Sequence, residues 1–372
     1  TPDRKMVSDV QSITYGARLE SKFAFGKNTF YTGLDYKHEG AENIRMIMPA
    51  MMPMRDGTSW QDSSIDQIGW FNEYQMNFKN SKLVASLRLD YNKGDAKALS
   101  NLFKTLYGDG KAENFNHSLS LGYNKNLCNH NQLGIWLGRA QRSGSLTERY
   151  INRFAVGIDA YELVGNPDLK PETNNQIDLI FTHKKDNIFF QADVFYSYLE
   201  NYISGVIVPI KPYSMTAPGT RQIQNIEKAF KTGVETRFNW QFLPKFRTEL
   251  AAAYTYAEDM NTNNPLPEIA PLDFRWNVLA DFSPVSLGLH YRYSAKQSRI
   301  NPTFGEFTTP EFSVFDFTSK YNVFKNATLS FDVLNIFDRA YAEHLNRTLS
   351  TNKKQRILAA GRSFNIGFSY NF

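Results

Sequence analysis

A two-residue period, held over long stretches, constrains this chain more than any other feature. In the closing segment RSFNIGFSYNF, Phe364, Ile366, Phe368, Tyr370 and Phe372 take every second position, and Ser363, Asn365, Gly367, Ser369 and Asn371 fill the gaps. An extended strand sends successive side chains to opposite faces, so one face here is apolar and aromatic and the other small or polar. The pattern recurs upstream. Ile13, Tyr15, Ala17, Leu19, Phe23 and Phe25 alternate with Thr14, Gly16, Arg18 and Glu20. Leu83, Ala85, Leu87, Leu89 and Tyr91 alternate with Ser86, Arg88, Asp90 and Asn92, and Ile188, Phe190, Ala192, Val194, Tyr196 and Tyr198 with Gln191, Asp193 and Ser197. About fifteen strands are expected, most of about 11–18 residues, where soluble strands run about five or six and a tilted membrane-spanning strand needs about 9–11.

The strands are expected in pairs. Short turns at Gly26-Lys27-Asn28, Asn80-Ser81, Asn129-His130-Asn131 and Lys185-Asp186 alternate with longer polar loops, near 41–63, 95–112 and 146–172 among others. That rhythm fits an all-β transmembrane antiparallel barrel with its short turns on one side of the membrane and its long loops on the other. Asp90, Asp193, Arg275, Asp281, His290 and Arg292 fall on the polar face, where a hydrated lumen accepts charge that a sandwich core would not.

Composition agrees. Aromatic residues make up 15% of the chain, with 20 Tyr and 29 Phe, yet apolar residues reach only 42%. No run approaches the roughly 18 to 20 apolar residues of a spanning helix. The net charge is +5, with lysines and arginines scattered rather than gathered into a stripe that would track a phosphate backbone, so nucleic acid is not an expected partner. Cys128 is alone, which excludes an internal disulfide and a thiolate metal cluster. No HExxH, GxSxG, Walker loop or strand-to-helix GxGxxG is present, and no acid–base set converges, so an enzyme is not expected. The opening TPDRKMVSDVQS is not a signal peptide, and residues 1–372 are expected to begin inside a longer protein.

NPDLKPE (Asn166 to Glu172) followed by TNNQIDLIF, the strand ending DVFYSYLENYI, Gly233-Val234-Glu235, AAAYTYAED, the segment from Pro265 to Pro271, LNIFDRAY and the terminal strand lie in this order. Together they resemble TonB-dependent outer-membrane receptors. The resemblance implies a 22-stranded barrel in the outer membrane of a Gram-negative bacterium, with an N-terminal plug and a coupling box that the TonB complex engages. Neither plug nor box is found in this sequence. With the closing strand as the twenty-second, the first strand here is near the eighth, and its descent to a short turn agrees with an even number. The resemblance also implies that the aromatic terminus Phe372 is read by barrel-assembly machinery. A complete barrel of about sixteen strands is the alternative.

Five of the nine methionines, Met46, Met48, Met51, Met52 and Met54, fall in RMIMPAMMPM, expected as an outer loop. Thioether sulfur is a soft donor that suits Cu(I), and Pro49 and Pro53 stiffen the segment. The competing reading is an apolar loop folded over the lumen or packed on a plug. DAYELVGNPDLKPETNNQIDL and the stretch from Ala342 to Arg347 are similar to the copper and zinc branch of the family, whose copper receptors use methionine sites near the external face. Copper is therefore the expected transported ligand. His344 is a further metal candidate, against a loop-packing histidine. Siderophore, haem or zinc is the alternative within transport, and for a chelate Tyr161, Tyr213 and Arg221 are the candidate contacts. A passive porin-like or adhesin barrel is the alternative of another class. Met215, Met260, His117, His183 and His290 are expected to be packing or lumen residues.

Overall fold

The computed structural model describes residues 5–48, 52–53, 58–153, 161–212, 217–301, 304–346 and 356–371, with backbone alone at 5–8, 44–48 and 52–53. One sheet of 17 strands contains β1 (Lys5–Phe25), β2 (Asn28–Met48), β3 (Met52–Pro53), β4 (Ser63–Asn77), β5 (Ser81–Ala96), β6 (Ala112–Asn126), β7 (Asn131–Arg142), β8 (Glu162–Val164) and β9 (Glu172–Lys185). It continues through β10 (Ile188–Val208), β11 (Thr220–Leu243), β12 (Phe246–Asp259), β13 (Asp273–Asp281), β14 (Val285–Ser294), β15 (Phe312–Phe324), β16 (Ala327–Leu334) and β17 (Ser363–Tyr370). Setting aside the short β3 and β8, each strand pairs antiparallel with the next in chain order. The expected strand number and order are both present. Among the described residues β1 pairs only with β2 and β17 only with β16, so the sheet is open along those two edges.

The register sorts the faces. Leu34 lies between Leu19 and Trp70, and Trp70 opposes Leu89; Val194 lies between Leu179 and Val234. Leu19, Leu34, Trp70, Leu179, Val194 and Val234 are all exposed. A row of exposed apolar side chains across many strands is unfavourable in water and favourable in lipid. Rings collect at both margins of this face. Phe23, Phe30 and Tyr74 associate at the short-turn end, as do Trp240, Phe242, Phe246 and Phe282. Tyr196, Phe230 and Tyr256 stack towards the long-loop end. No helix is long and apolar enough to cross a membrane.

The opposite face is polar and internally bonded. Arg88 donates to both carboxylate oxygens of Asp35 at 2.8 Å and through Nε to Asp90 at 2.8 Å, while Gln67 also donates to Asp90. Gly69 makes room for this group, because a Cβ there would fall within 3 Å of Arg88, Asp90 and Asp35. His290 sits between Asn277 at 3.0 Å and Thr318 at 2.9 Å, the hydrogen-bonded lumen role expected of it. At the short-turn end Gly26 adopts φ +58°, the left-handed turn geometry that glycine takes without steric cost. Cys128 is exposed in the next short turn but one.

Three differences from expectation concern the long-loop end. β2 runs on to Met48 because Lys5–Asp9 of β1 pairs with Ile44–Met48, so 41–48 is strand and not loop. Two short helices form inside expected loops, α1 (Asn101–Tyr107), capped by Ser100, and α2 (Leu146–Tyr150), capped by Ser145. β8 then pairs parallel with β11, tying the loop before NPDLKPE to the wall. NPDLKPE itself is a staple: Leu169 packs with Ile203 and Ile223, and Asn225 bonds both the N–H and the carbonyl of Lys170.

Candidate functional site

The methionine segment begins as strand and turns back. Met46 of β2 pairs with Pro53 of β3, and Ile47 pairs with Met52, so the chain reverses between Met48 and Met52. Met46 and Met48 are thus in β2 and Met52 in β3, with Met52 opposite Ile47 rather than opposite another methionine; Met51 and Met54 lie outside the described residues. The foot of the hairpin is fixed. The Asn43 side chain accepts from the Trp60 amide at 3.0 Å, and the fully buried Gln61 donates to the Tyr150 carbonyl at 2.7 Å and accepts from the Ser100 amide at 2.9 Å. Gln61 thus holds the returning chain, α2 and the start of α1 together.

Beneath it, α2 is docked by two bonded systems. Arg149 is fully buried and donates to Asn92 at 2.7 Å and to Asn114, with two amide oxygens as its acceptors. Glu148 closes a capping box with Ser145 and takes Arg142 at 2.9 Å; the same guanidinium reaches Glu172 at 3.1 Å. Burial pushes the Glu148 carboxyl up, but the hydrogen bonds from Arg142 and the Ser145 amide outweigh it and hold the group below its ordinary range.

The remaining candidates separate from the hairpin. Arg221 is only 3% exposed and lies over the Phe304 ring at 4.0 Å and the Tyr161 ring at 4.9 Å. Its Nε and Nη2 both donate to the Phe304 carbonyl, at 3.2 and 2.5 Å. Tyr161 and Arg221 do come together, as a bolt that fixes Phe304 to β11, with Tyr161 partly exposed and the Arg221 guanidinium buried beneath the Phe304 ring. Tyr213, Met215 and the terminal Phe372 lie outside the described residues. His344 is in the loop after β16, its side chain 4% exposed, 2.9 Å from the Thr309 hydroxyl and 3.6 Å from a Glu306 oxygen. Met260 is exposed in the turn after β12. Among the described residues no three His, Cys, Asp or Glu side chains are grouped to hold a metal ion. Further down the wall, Asp193, Glu235, Arg237, Asp273, Arg275 and Arg292 line a polar cavity of about 400 Å³ on the inward face.

Sequence reasoning missed Gln61, Arg149 and Glu306. Only Arg149 had a local signal, the Ser145-Leu146-Thr147-Glu148 capping box that starts its helix.

Residues 2–336 match the family model described as TonB dependent receptor-like, beta-barrel. Over 244 residues the chain is 27% identical to a "Heme/hemopexin utilization protein C" of Haemophilus influenzae, a match covering 59% of this chain and 34% of that protein. Among solved structures, "Copper transporter OprC" superposes with a TM-score of 0.83 at 23% identity, covering 99% of this chain and 58% of that one. The FrpB iron transporter of Neisseria meningitidis superposes at 0.70 with 13% identity, over 98% of this chain and 55% of that one. The chain spans about a third of the curated relative and somewhat over half of each solved structure.

Proposed function

Because the chain belongs to the TonB-dependent receptor β-barrel family, we propose that it forms the downstream wall of an outer-membrane importer for a scarce metal, and that the metal is copper, held as Cu(I) by thioethers of the 46–54 segment. The single observation carrying this reading is the density of soft donors, five methionines within nine residues, in a segment whose backbone pairs back on itself at Met46–Pro53 and Ile47–Met52. Soft thioethers discriminate for Cu(I) against hard and borderline ions. The solved structure named as a copper transporter, similar over nearly the whole length of this chain, supports the same choice. In this reading residues 1–372 are the C-terminal part of the barrel, and a plug encoded upstream carries the contact with the TonB coupling complex. The outward apolar face meets outer-membrane lipid.

The test is Cu(I) affinity of the full-length receptor against a variant with Met46, Met48, Met51, Met52 and Met54 all changed to Leu, which keeps bulk and removes the donors. A loss of at least about tenfold is expected, the size of one strong interaction; equal affinity refutes copper binding at this segment. The haem-utilisation relatives make haem the second reading. Haem binding retained by the Met→Leu variant, with no Cu(I) binding by either form, would favour it.

A further inference from the structure

We propose that the short-turn end of the inward face carries a second binding site, for a small organic anion with two or more carboxylate or phosphate groups. It does not rest on the copper reading, since it lies at the other end of the wall from the methionine segment and its binding groups are cations. A cavity of about 470 Å³ opens there, lined among others by Lys245, Arg247, Asp281, Ser286, Thr318 and Lys320. The register places the charges. One row across β12 to β15 runs Arg247, Leu279, Gly288, Thr318. The next row towards the short turns runs Asp281, Ser286, Lys320, and Lys245 joins it because its carbonyl accepts from the Asp281 amide at 2.8 Å. Gly288 is two residues from the lumen-facing His290, so both rows share that face. Long cationic side chains therefore stand on both flanks of a floor built from short ones. Gly288 keeps the floor low, since a Cβ there would lie 2.5 Å from Thr318 Oγ1 and 2.7 Å from His290 Nε2.

Among the described residues the lining holds three cations, Lys245, Arg247 and Lys320, and one carboxylate. That carboxylate is engaged: Asp281 Oδ1 accepts from the Ser283 amide and the Ser286 hydroxyl, each at 3.3 Å. Of the carboxylates beside the cavity, Glu249 faces the Nε edge of Arg247 at 3.2 Å, with the arginine side chain 60% exposed, and also accepts from Asn277. Such an exposed pair is weak. Asp316, one row further from the short turns, accepts from the Asn335 amide. Lys245 reaches only the Phe282 ring, 5.7 Å from its centre, and among the described residues no carboxylate is within ion-pair distance of Lys320. A concave wall with a surplus of one sign concentrates ions of the other, and Lys and Arg are the side chains that hold carboxylate and phosphate. Dimensions select the ligand. β12 and β15 are three strand spacings apart, about 14 Å. A single carboxylate or phosphate cannot lie against both flanks, whereas one molecule with two anionic ends can. The volume falls in the range of about 300–1,000 Å³ usual for small-molecule pockets.

The experiment uses the full-length receptor, with citrate as the probe and acetate as its single-carboxylate control. Isothermal titration at fixed ionic strength should find one citrate site, with acetate at least about 100-fold weaker. Citrate affinity should fall at least about tenfold in R247Q and in K320Q. It should be unchanged in K22Q, which removes an inward cation of β1, and in the five-Met→Leu variant. Added salt should weaken it. Crystals of the unmutated receptor soaked in citrate give a reading free of any folding defect, and citrate density between Arg247 and Lys320 is expected. Equal citrate affinity in R247Q and K320Q, or acetate binding as tightly as citrate, overturns the site. A cavity filled in those crystals by a segment of the receptor's own chain also overturns it, and would assign the three cations to an internal contact.

Discussion

Replacing Arg221 with Met removes the bolt between β11 and the 295–311 loop while keeping most of the side-chain length. The guanidinium lies over two rings, at 4.0 and 4.9 Å, and its Nε and Nη2 both donate to one carbonyl. Two cation–π contacts away from water contribute about 1 kcal/mol each. The paired donation from a charged group to Phe304 contributes about 1.5–3 kcal/mol, counted once because a single carbonyl accepts both. Methionine restores part of the packing, so the net loss is about 3 kcal/mol. It falls on the loop, because Phe304 is tied to Arg221 at one end while its own amide bonds Asn301. Hydrogen exchange on the full-length receptor should show amide opening around 304–309 rising about 100-fold, at about 1.4 kcal/mol per decade. The Gln297–Thr309 bridge should open with it, since each residue's amide donates to the other's carbonyl. Strand amides of β11 below Ile223 should keep their protection. Unchanged exchange around Phe304 refutes the assignment of Arg221 as a loop anchor and returns it to the candidates for direct ligand contact. Uniform loss of protection across the barrel would show that its role is global.

Three more outcomes follow from the wall and its loops. Val194→Arg should destabilise the receptor in vesicles by about 2–4 kcal/mol, read from denaturant unfolding, because Val194 is on the outward face with Leu179 and Val234 beside it; a change below about 0.5 kcal/mol would refute the lipid-facing assignment. Gly69→Ala should cost about 1–3 kcal/mol by crowding the Arg88–Asp35–Asp90 group, and pairing it with Arg88→Ala should give less than the sum of the two losses, since the second change removes what the first displaces. The Glu148 carboxyl is held below its ordinary value, so its contribution to docking α2 is complete above about pH 4.5 and fades as the pH falls from there through the lowered value. Proteolysis at Arg149 should therefore begin only at acid pH in the native protein, but at neutral pH in Glu148→Gln; equal resistance of both at pH 7 would refute it.

How far the site could be read differs by kind of residue. The five methionines stand out by density alone, and their donor chemistry needs no coordinates. What the sequence could not show is that β1 extends far enough to pair with Ile44–Met48, which turns the first part of an expected loop into strand. Tyr161 and Arg221, two of the three chelate candidates by residue type, are joined by the fold, yet it buries the guanidinium under Phe304, 83 residues further on. The contact between His344 and Glu306 has no sequence signal, because Glu306 lies on another loop and nothing in its neighbourhood marks it.

The wall was determined by the sequence itself. A period of two over many residues fixes which side chains face lipid and which face the lumen, and it does so strand by strand, because the strand's own pleat decides the face. Turn length then fixes antiparallel neighbours and their order. The loop layer was decided by tertiary structure. Gln61 with Tyr150, Arg221 with Phe304 and His344 with Glu306 join segments that share no period and no spacing. Such contacts depend on where long loops return over the rim, which is set by the positions of many strands at once and by no local preference of the loops.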